Sequence, residues 1–250
     1  MSNLGDFYKA KELKPGVPKK GWFIIRLDGK AFHTFTNQSE KPFDVSLSNA
    51  MQFVTKQLCS EIQNTKMAYT QSDEISIVMS DLDSDQTSLW YDGDIQKICS
   101  VAASIATAHF NNVFKHQKGK LAYFDARVFR LESEEEVQGY LVWRQRDSIK
   151  NAITLISLKH YSHKEIHAKH SGDKKEMIIQ KGDSLCNYQE GLVNGFMAIK
   201  SYKQVPFEKP KNKTIGLVNR SFWKELPSVN FSEQKFLDVI NKNLTQYTGE

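Results

Sequence analysis

At 250 residues with 40% hydrophobic content, the chain is long and apolar enough to bury a real core, which excludes a disordered or low-complexity protein. A net charge of +5 is modestly basic, compatible with a polyanionic partner and too small to name one. No apolar run approaches the ~20 residues that span a bilayer, residues 1–6 lack the apolar core of a secretion signal, and Cys59, Cys99 and Cys186 are widely spaced without a Cys-x-x-Cys pair. A disulfide framework and a zinc-thiolate site are therefore disfavoured, and the expected setting is the cytoplasm with no membrane partner.

Residues 1–20 are polar and lysine-rich, and Pro15-Gly16-Val17-Pro18 breaks any helix before the first strand. Trp22-Phe23-Ile24-Ile25-Arg26-Leu27-Asp28-Gly29-Lys30 then reads as a buried central strand that delivers one carboxylate to its end. Asp28 is costly there without a hydrogen bond, a counter-charge or a cation. Gly29 is expected to give a tight turn and a reachable carbonyl. Residues 36–42 form a polar loop whose Lys41 is either a solvated surface charge or a group that folds back over the strand end.

A helix is predicted from Asp44 or Ser46, with Leu47, Met51, Val54, Leu58 and Ile62 as its core stripe. Residues 68–79 read as strand, polar turn, strand, with Asp73 and Glu74 at the tip. Each acidic turn alone is weak evidence, since such pairs are usually solvated. Side by side, Asp28 and Asp73 would offer hard oxygen ligands to magnesium, as two-metal phosphoryl transfer requires. A second helix is predicted from about Asp94 to Phe114, with Lys97 and Ser100 on one face; there they are either an ordinary polar surface or a phosphate contact.

Residues 121–129 read as another strand, and Ser133 with Glu136 as a capping box opening a long helix to about Leu155. The order strand, helix, strand, strand, helix, strand is the α+β, ferredoxin-like pattern. His160, His163, His167 and His170 have helical spacing, but no acidic or cysteine ligand completes a zinc set, and a Ser162–Glu165 capping box places His160 outside the following helix. A basic helical surface is the reading adopted. Asp173 to Glu176 open a short helix ending at Gly182, residues 195–202 suggest a strand, residues 208–213 form a charged connector, and residues 231–244 suggest a closing helix with Phe236, Val239 and Ile240 on one face. The provisional division is a catalytic core over residues 1–130 and a helical and mixed region over 131–250.

Taken in order, Arg26-Leu27-Asp28-Gly29-Lys30-Ala31-Phe32-His33, Lys41-Pro42-Phe43-Asp44, Ala68-Tyr69, Ser72-Asp73-Glu74, Phe124-Asp125-Ala126-Arg127 and Tyr140-Leu141-Val142-Trp143-Arg144-Gln145 resemble the signature of the tRNA-histidine guanylyltransferase family. The resemblance runs from about Gly5 to Gly182. It implies a palm-type core similar to nucleotide polymerases and cyclases, with additional C-terminal helices, and a homotetramer. It also implies Asp28, Asp73 and Glu74 as catalytic residues, two magnesium ions on Asp28, Asp73 and the Gly29 carbonyl, and ATP, GTP and other nucleoside triphosphates as substrates. Asp28, Gly29, Lys30, Ala31, Phe32, His33, Lys41, Ser72, Asp73, Lys97 and Ser100 would contact nucleotide; Arg144, Gln145, Lys150 and Asn151 would contact tRNA. Where members that guanylate histidine tRNA carry a histidine-isoleucine-asparagine-asparagine run, this chain has Ile149-Lys150-Asn151-Ala152. That departure is similar to the family's bacterial-type like proteins, which repair 5′-truncated tRNA by templated 3′ to 5′ addition. Guanylate addition to histidine tRNA, a palm-type nucleotide cyclase and a non-catalytic RNA-binding module are the alternatives.

Overall fold

The computed structural model describes residues 8–116, 118–208, 215–235 and 237–239. Six strands form one antiparallel sheet in the order β4-β1-β3-β2-β5-β6: β1 (Trp22–Gly29), β2 (Thr65–Gln71), β3 (Glu74–Ser80), β4 (Phe124–Leu131), β5 (Phe196–Glu208) and β6 (Ile215–Pro227). The principal helices are α1 (Val45–Glu61), α2 (Ile95–Val113), α3 (Glu134–His160) and α4 (Ser171–Gln180). The strand, helix, strand, strand, helix, strand order expected from the sequence is present, and strands from both sides of residue 130 belong to the same sheet.

β1 lies between β4 and β3, so both its edges are paired, and helices cover its two faces. Phe23, Ile25 and Leu27 point to one side and pack with Met51, Val54 and Leu58 of α1 and Ile98, Ala102 and Phe110 of α2. Ile24 points to the other and packs with Val137, Tyr140 and Leu141 of α3. Because side chains alternate along a strand, Arg26 and Asp28 continue the Ile24 face. That is how two charged groups come to lie under α3 at the strand's end.

Local chemistry starts α1, α2 and α3 where the sequence predicts, whereas α4 begins at Ser171, ahead of the expected Asp173. Asp44 accepts from the Leu47 N–H at 3.0 Å, and Asp94 from the Lys97 N–H at 3.0 Å. Ser133 Oγ accepts from the Glu136 N–H at 3.3 Å. Each cap satisfies a donor that the first helical turn leaves open. α3 runs beyond the expected Leu155 to His160, where Asp183 accepts from both Lys159 Nζ (3.3 Å) and His160 Nε2 (2.7 Å).

β6 has no counterpart in the sequence reading, because its apolar residues come as neighbours, Leu217-Val218 and Phe222-Trp223, rather than in alternation. β5 pairs with β2 only from Phe196 to Ile199; farther out it pairs with β6 alone as a two-stranded ribbon. Of the predicted closing helix, Phe236 and residues 240–244 lie outside the described residues; residues 231–235 form a turn rather than helix, and Phe231 and Val239 are buried on the α3 side of the sheet. No described helix is long and apolar enough to cross a membrane.

Candidate active site

Register builds an acidic row at one end of the sheet. Asp28 on β1 stands opposite Asp125 on β4 and opposite Glu74 on β3, so the three carboxylates share a face. Asp73 adds a fourth from the turn between β2 and β3. Ser72 holds that turn in a left-handed conformation (φ 51°) and donates from Oγ to Asp73 Oδ1 at 3.0 Å.

Asp28 is raised above its ordinary 3.8, first by burial and then by the charge of Asp125, against the pull of Arg127, Arg26 and Arg144. Asp73 is raised by burial and then by Asp28. Glu74 is also raised by burial, although Arg144 Nε donates to it at 2.6 Å in an almost fully enclosed pair. Among the described residues Asp28 and Asp73 make no ion pair, while Glu74 does. Two partly buried, mutually repelling carboxylates with free hard oxygens suit a divalent cation, which completes its shell with water and substrate oxygens. Glu74, spent on Arg144, orients the row instead.

The turn after β1 works differently from expectation. The left-handed residue is Ala31 (φ 54°), not Gly29. Glycine is required at 29 because a Cβ there would lie 2.2 Å from the Phe32 ring. That ring is buried against Phe35, Phe110 and Phe124, at centroid distances of 5.0, 5.5 and 5.2 Å. Asp28 is thus fixed by an aromatic cluster packed beneath its neighbour.

Beside the hairpin tip lies a cavity of about 830 Å³, bounded by the segment after β1, the start of α1, the second half of α3 and the chain entering β5. His33, Lys41, Ser72, Asp73 and Asn151 all line it, and the buried Phe32 ring forms part of its wall. Five candidates separated by more than a hundred positions therefore meet at one opening. Lys30 and Ala31 are exposed at the turn and do not line it, and Lys150 is exposed on α3.

Other candidates are placed elsewhere. Lys97 and Ser100 occupy the first turns of α2, next to the Gly16–Asp94 bridge, whereas the acids are level with Thr107, whose Oγ1 accepts from the Phe124 N–H. Ten residues of helix put Lys97 roughly 15 Å from that level. Arg144 and Gln145, expected to meet tRNA, are buried: Arg144 bridges Glu74 and Asp147, and Gln145 donates to Ser228 Oγ and the Val229 carbonyl while accepting from the Phe231 N–H. Their polar groups are used inside the fold.

The four histidines are divided among separate tasks. His160 serves Asp183, whose carboxyl is held well below the usual range by that hydrogen bond first, His163 lines the cavity, His167 is exposed at the end of the short helix His163–Ile166, and His170 stands at the N-terminus of α4. Among the described residues no group of three His, Cys, Asp or Glu side chains is arranged to hold a metal. Sequence reasoning also passed over Trp143, the one residue of Trp143-Arg144-Gln145 that faces solvent. Its displacement from the buried Tyr140, Leu141, Arg144, Ser148 stripe was the available signal.

Comparison with known proteins identifies the fold that carries this site. Residues 5–132, just over half of the chain, match the Thg1 family described as tRNAHis guanylyltransferase. A probable tRNA(His) guanylyltransferase of Drosophila melanogaster is 26% identical over 239 residues, covering 88% of this chain and 82% of that protein. A bacterial tRNA(His) guanylyltransferase (Thg1)-like protein in complex with ATP is similar in structure with a TM-score of 0.81 at 30% identity, covering 98% of this chain and 100% of the other. The structure of such a protein in complex with GTP gives 0.78 at 30% identity, with 97% and 99% covered. With its acids, hairpin and cavity set on that shared fold, the chain belongs to the Thg1 family, tRNAHis guanylyltransferase, a family of nucleotidyltransferases.

Proposed function

We propose that this nucleotidyltransferase uses the Asp28–Asp73 site to add nucleotides to the 5′ end of tRNA in the 3′ to 5′ direction. The observation that carries this is the meeting of Asp73, Ser72, Lys41, His33 and Asn151 at one cavity, of a size that fits a nucleoside triphosphate, beside the Asp28 row. The ATP and GTP in the similar bacterial structures support the same ligand class. The antiparallel sheet in the order β4-β1-β3-β2 supports a ferredoxin-like palm core.

The resemblance implies two chemical steps. The tRNA 5′-phosphate attacks the α-phosphorus of ATP, expelling pyrophosphate and leaving an adenylylated end. The 3′-hydroxyl of the incoming nucleotide then attacks the 5′-phosphorus, forms the phosphodiester, gives up its proton and releases AMP. Asp28 and Asp73 would hold two magnesium ions, which supply charge neutralisation at phosphoryl oxygens and lower the pKa of the attacking hydroxyl. Lys41 and Ser72 bind phosphate oxygens from the cavity wall, His33 contacts the nucleotide, and Asn151, expected to meet tRNA, lines the same cavity. Arg144 keeps Glu74 and the adjoining Asp73 turn in place through their buried ion pair.

Ile149-Lys150-Asn151-Ala152 favours repair of 5′-truncated tRNA over guanylate addition to intact histidine tRNA: Asn151 reaches the cavity, and Ala152 offers no amide beside it. The assembly we carry forward from the resemblance is a homotetramer, and the compartment the cytoplasm. The test is labelled-nucleotide incorporation with ATP and magnesium into 5′-monophosphorylated tRNA lacking its first nucleotide, with intact histidine tRNA in competition. Templated extension of the truncated tRNA is expected. Preferential guanylylation of the intact tRNA overturns the repair assignment, and no addition to either overturns the function.

A further inference from the structure

We infer that the exposed indole of Trp143 is a stacking platform for the terminal base pair at the acceptor end of the RNA substrate, flanked by Arg26 and Arg127 for the adjoining phosphates. This rests on the tRNA-directed reading above. Trp143 is 52% exposed on α3, between half-buried Val142 and buried Arg144. Its ring is braced: the Arg144 guanidinium carbon lies 4.3 Å from the ring centroid, and the Tyr140 ring meets it edge-on at 5.9 Å. Arg144 is itself fixed by Glu74 at 2.6 Å and Asp147 at 3.1 Å, so the indole sits on a plane locked to the acidic row. An exposed tryptophan backed by the Arg144 guanidinium and braced by the Tyr140 ring loses little entropy when a base stacks on it.

The charges around it favour a polyanion. Arg26 lies 6.0 Å from the ring centroid, and its buried Nε has no hydrogen-bond partner. Directly opposite Arg26 on β4 is Arg127, whose one ion pair among the described residues, to Asp125 at 3.4 Å, is between half-exposed side chains. Two arginines face to face on one sheet surface repel each other, and a phosphate between them relieves that repulsion. An aromatic face with flanking cations is how nucleic-acid sites combine sequence-tolerant stacking with backbone contacts.

The position distinguishes this surface from the nucleotide cavity. Trp143, Arg26 and Arg127 do not line that cavity, which opens on the side of Ser72 and Asp73. Asp28 and Glu74 lie between the two, since Arg26 precedes Asp28 by two residues on the same strand face and Arg144 spans from Trp143 to Glu74. An RNA helix ending on Trp143 brings its 5′-phosphate to the acids, opposite a nucleotide arriving from the cavity.

The test is fluorescence anisotropy of a loop-labelled, 5′-monophosphorylated acceptor-stem hairpin without nucleotide, alongside an ATP titration of each protein. Trp143→Ala and Trp143→Leu should each weaken hairpin binding by about ten- to a hundredfold, and Trp143→Phe, which keeps a π face, should stay within about threefold of the parent. ATP affinity should be unchanged in all three. Hairpin binding by Trp143→Leu as tight as by Trp143→Phe overturns the platform, as does a parallel loss of ATP affinity, which marks a structural role. Failure of the unaltered protein to bind the hairpin overturns the tRNA reading and the platform with it, so the two failures are distinguishable.

Discussion

Replacing Asp28 by asparagine should make the metal-free protein more stable while removing its chemistry. Asp28 has Asp125 directly opposite on one side and Glu74 on the other. Like charges facing each other across strands cost about 0.2–1 kcal/mol per pair. Arg144 offsets the Glu74 charge, and Arg26 and Arg127 soften the rest, so the expected gain is about 1 kcal/mol. In a chain of this size that is a rise of about 2–4 °C in Tm. Asparagine keeps the shape of aspartate, so the close approach of Gly29 to Phe32 beside it is undisturbed. The assay is thermal and denaturant unfolding in EDTA at neutral pH.

The pH dependence follows from the raised native pKa of Asp28, which means that the folded state holds the proton more tightly than the unfolded state. The repulsive penalty is therefore complete above the native pKa, declines as pH falls through it, and vanishes below the ordinary 3.8. The advantage of Asp28→Asn should shrink over that same window. Magnesium should stabilise the parent protein at neutral pH far more than the variant, because only the folded parent presents both carboxylates. A variant no more stable than the parent in EDTA, or an advantage independent of pH, would refute the electrostatic account of this row.

Gly29→Ala places a methyl 2.2 Å from a Phe32 ring that the aromatic cluster prevents from retreating, and should destabilise by about 1–3 kcal/mol in denaturant melts. Arg144→Met leaves Glu74 buried and unpaired and should cost about 3–5 kcal/mol; adding Glu74→Gln should recover most of that, as a double-mutant cycle will show. Lys41→Ala should raise the apparent Kd for nucleoside triphosphate at least about tenfold with little change in fold stability, read by nucleotide titration.

Much of the N-terminal half is legible because its signals are local. The apolar run of β1, the caps Asp44, Asp94 and Ser133, and the Ser72-Asp73 turn each declare themselves within a few residues, and the structure follows them. What sequence leaves open is set by distant partners. Gly29 reads as a turn glycine until Phe32 is seen lying against it, and the turn conformation falls to Ala31. Arg144 and Gln145 look like surface groups for RNA until their partners Glu74, Ser228 and Phe231 are known, each far away in the chain. Lys97 shows the converse: helical spacing gives its face correctly but not its level along the sheet, which depends on the direction in which α2 crosses.

The most direct test of the central claim is single-turnover addition of labelled nucleotide to 5′-truncated tRNA by the parent protein, Asp28→Asn and Asp73→Asn, each verified as folded. The account predicts addition by the parent and a loss of at least about a hundredfold in either variant. Near-parental rates in either one would show that the Asp28–Asp73 pair is not the reaction's centre.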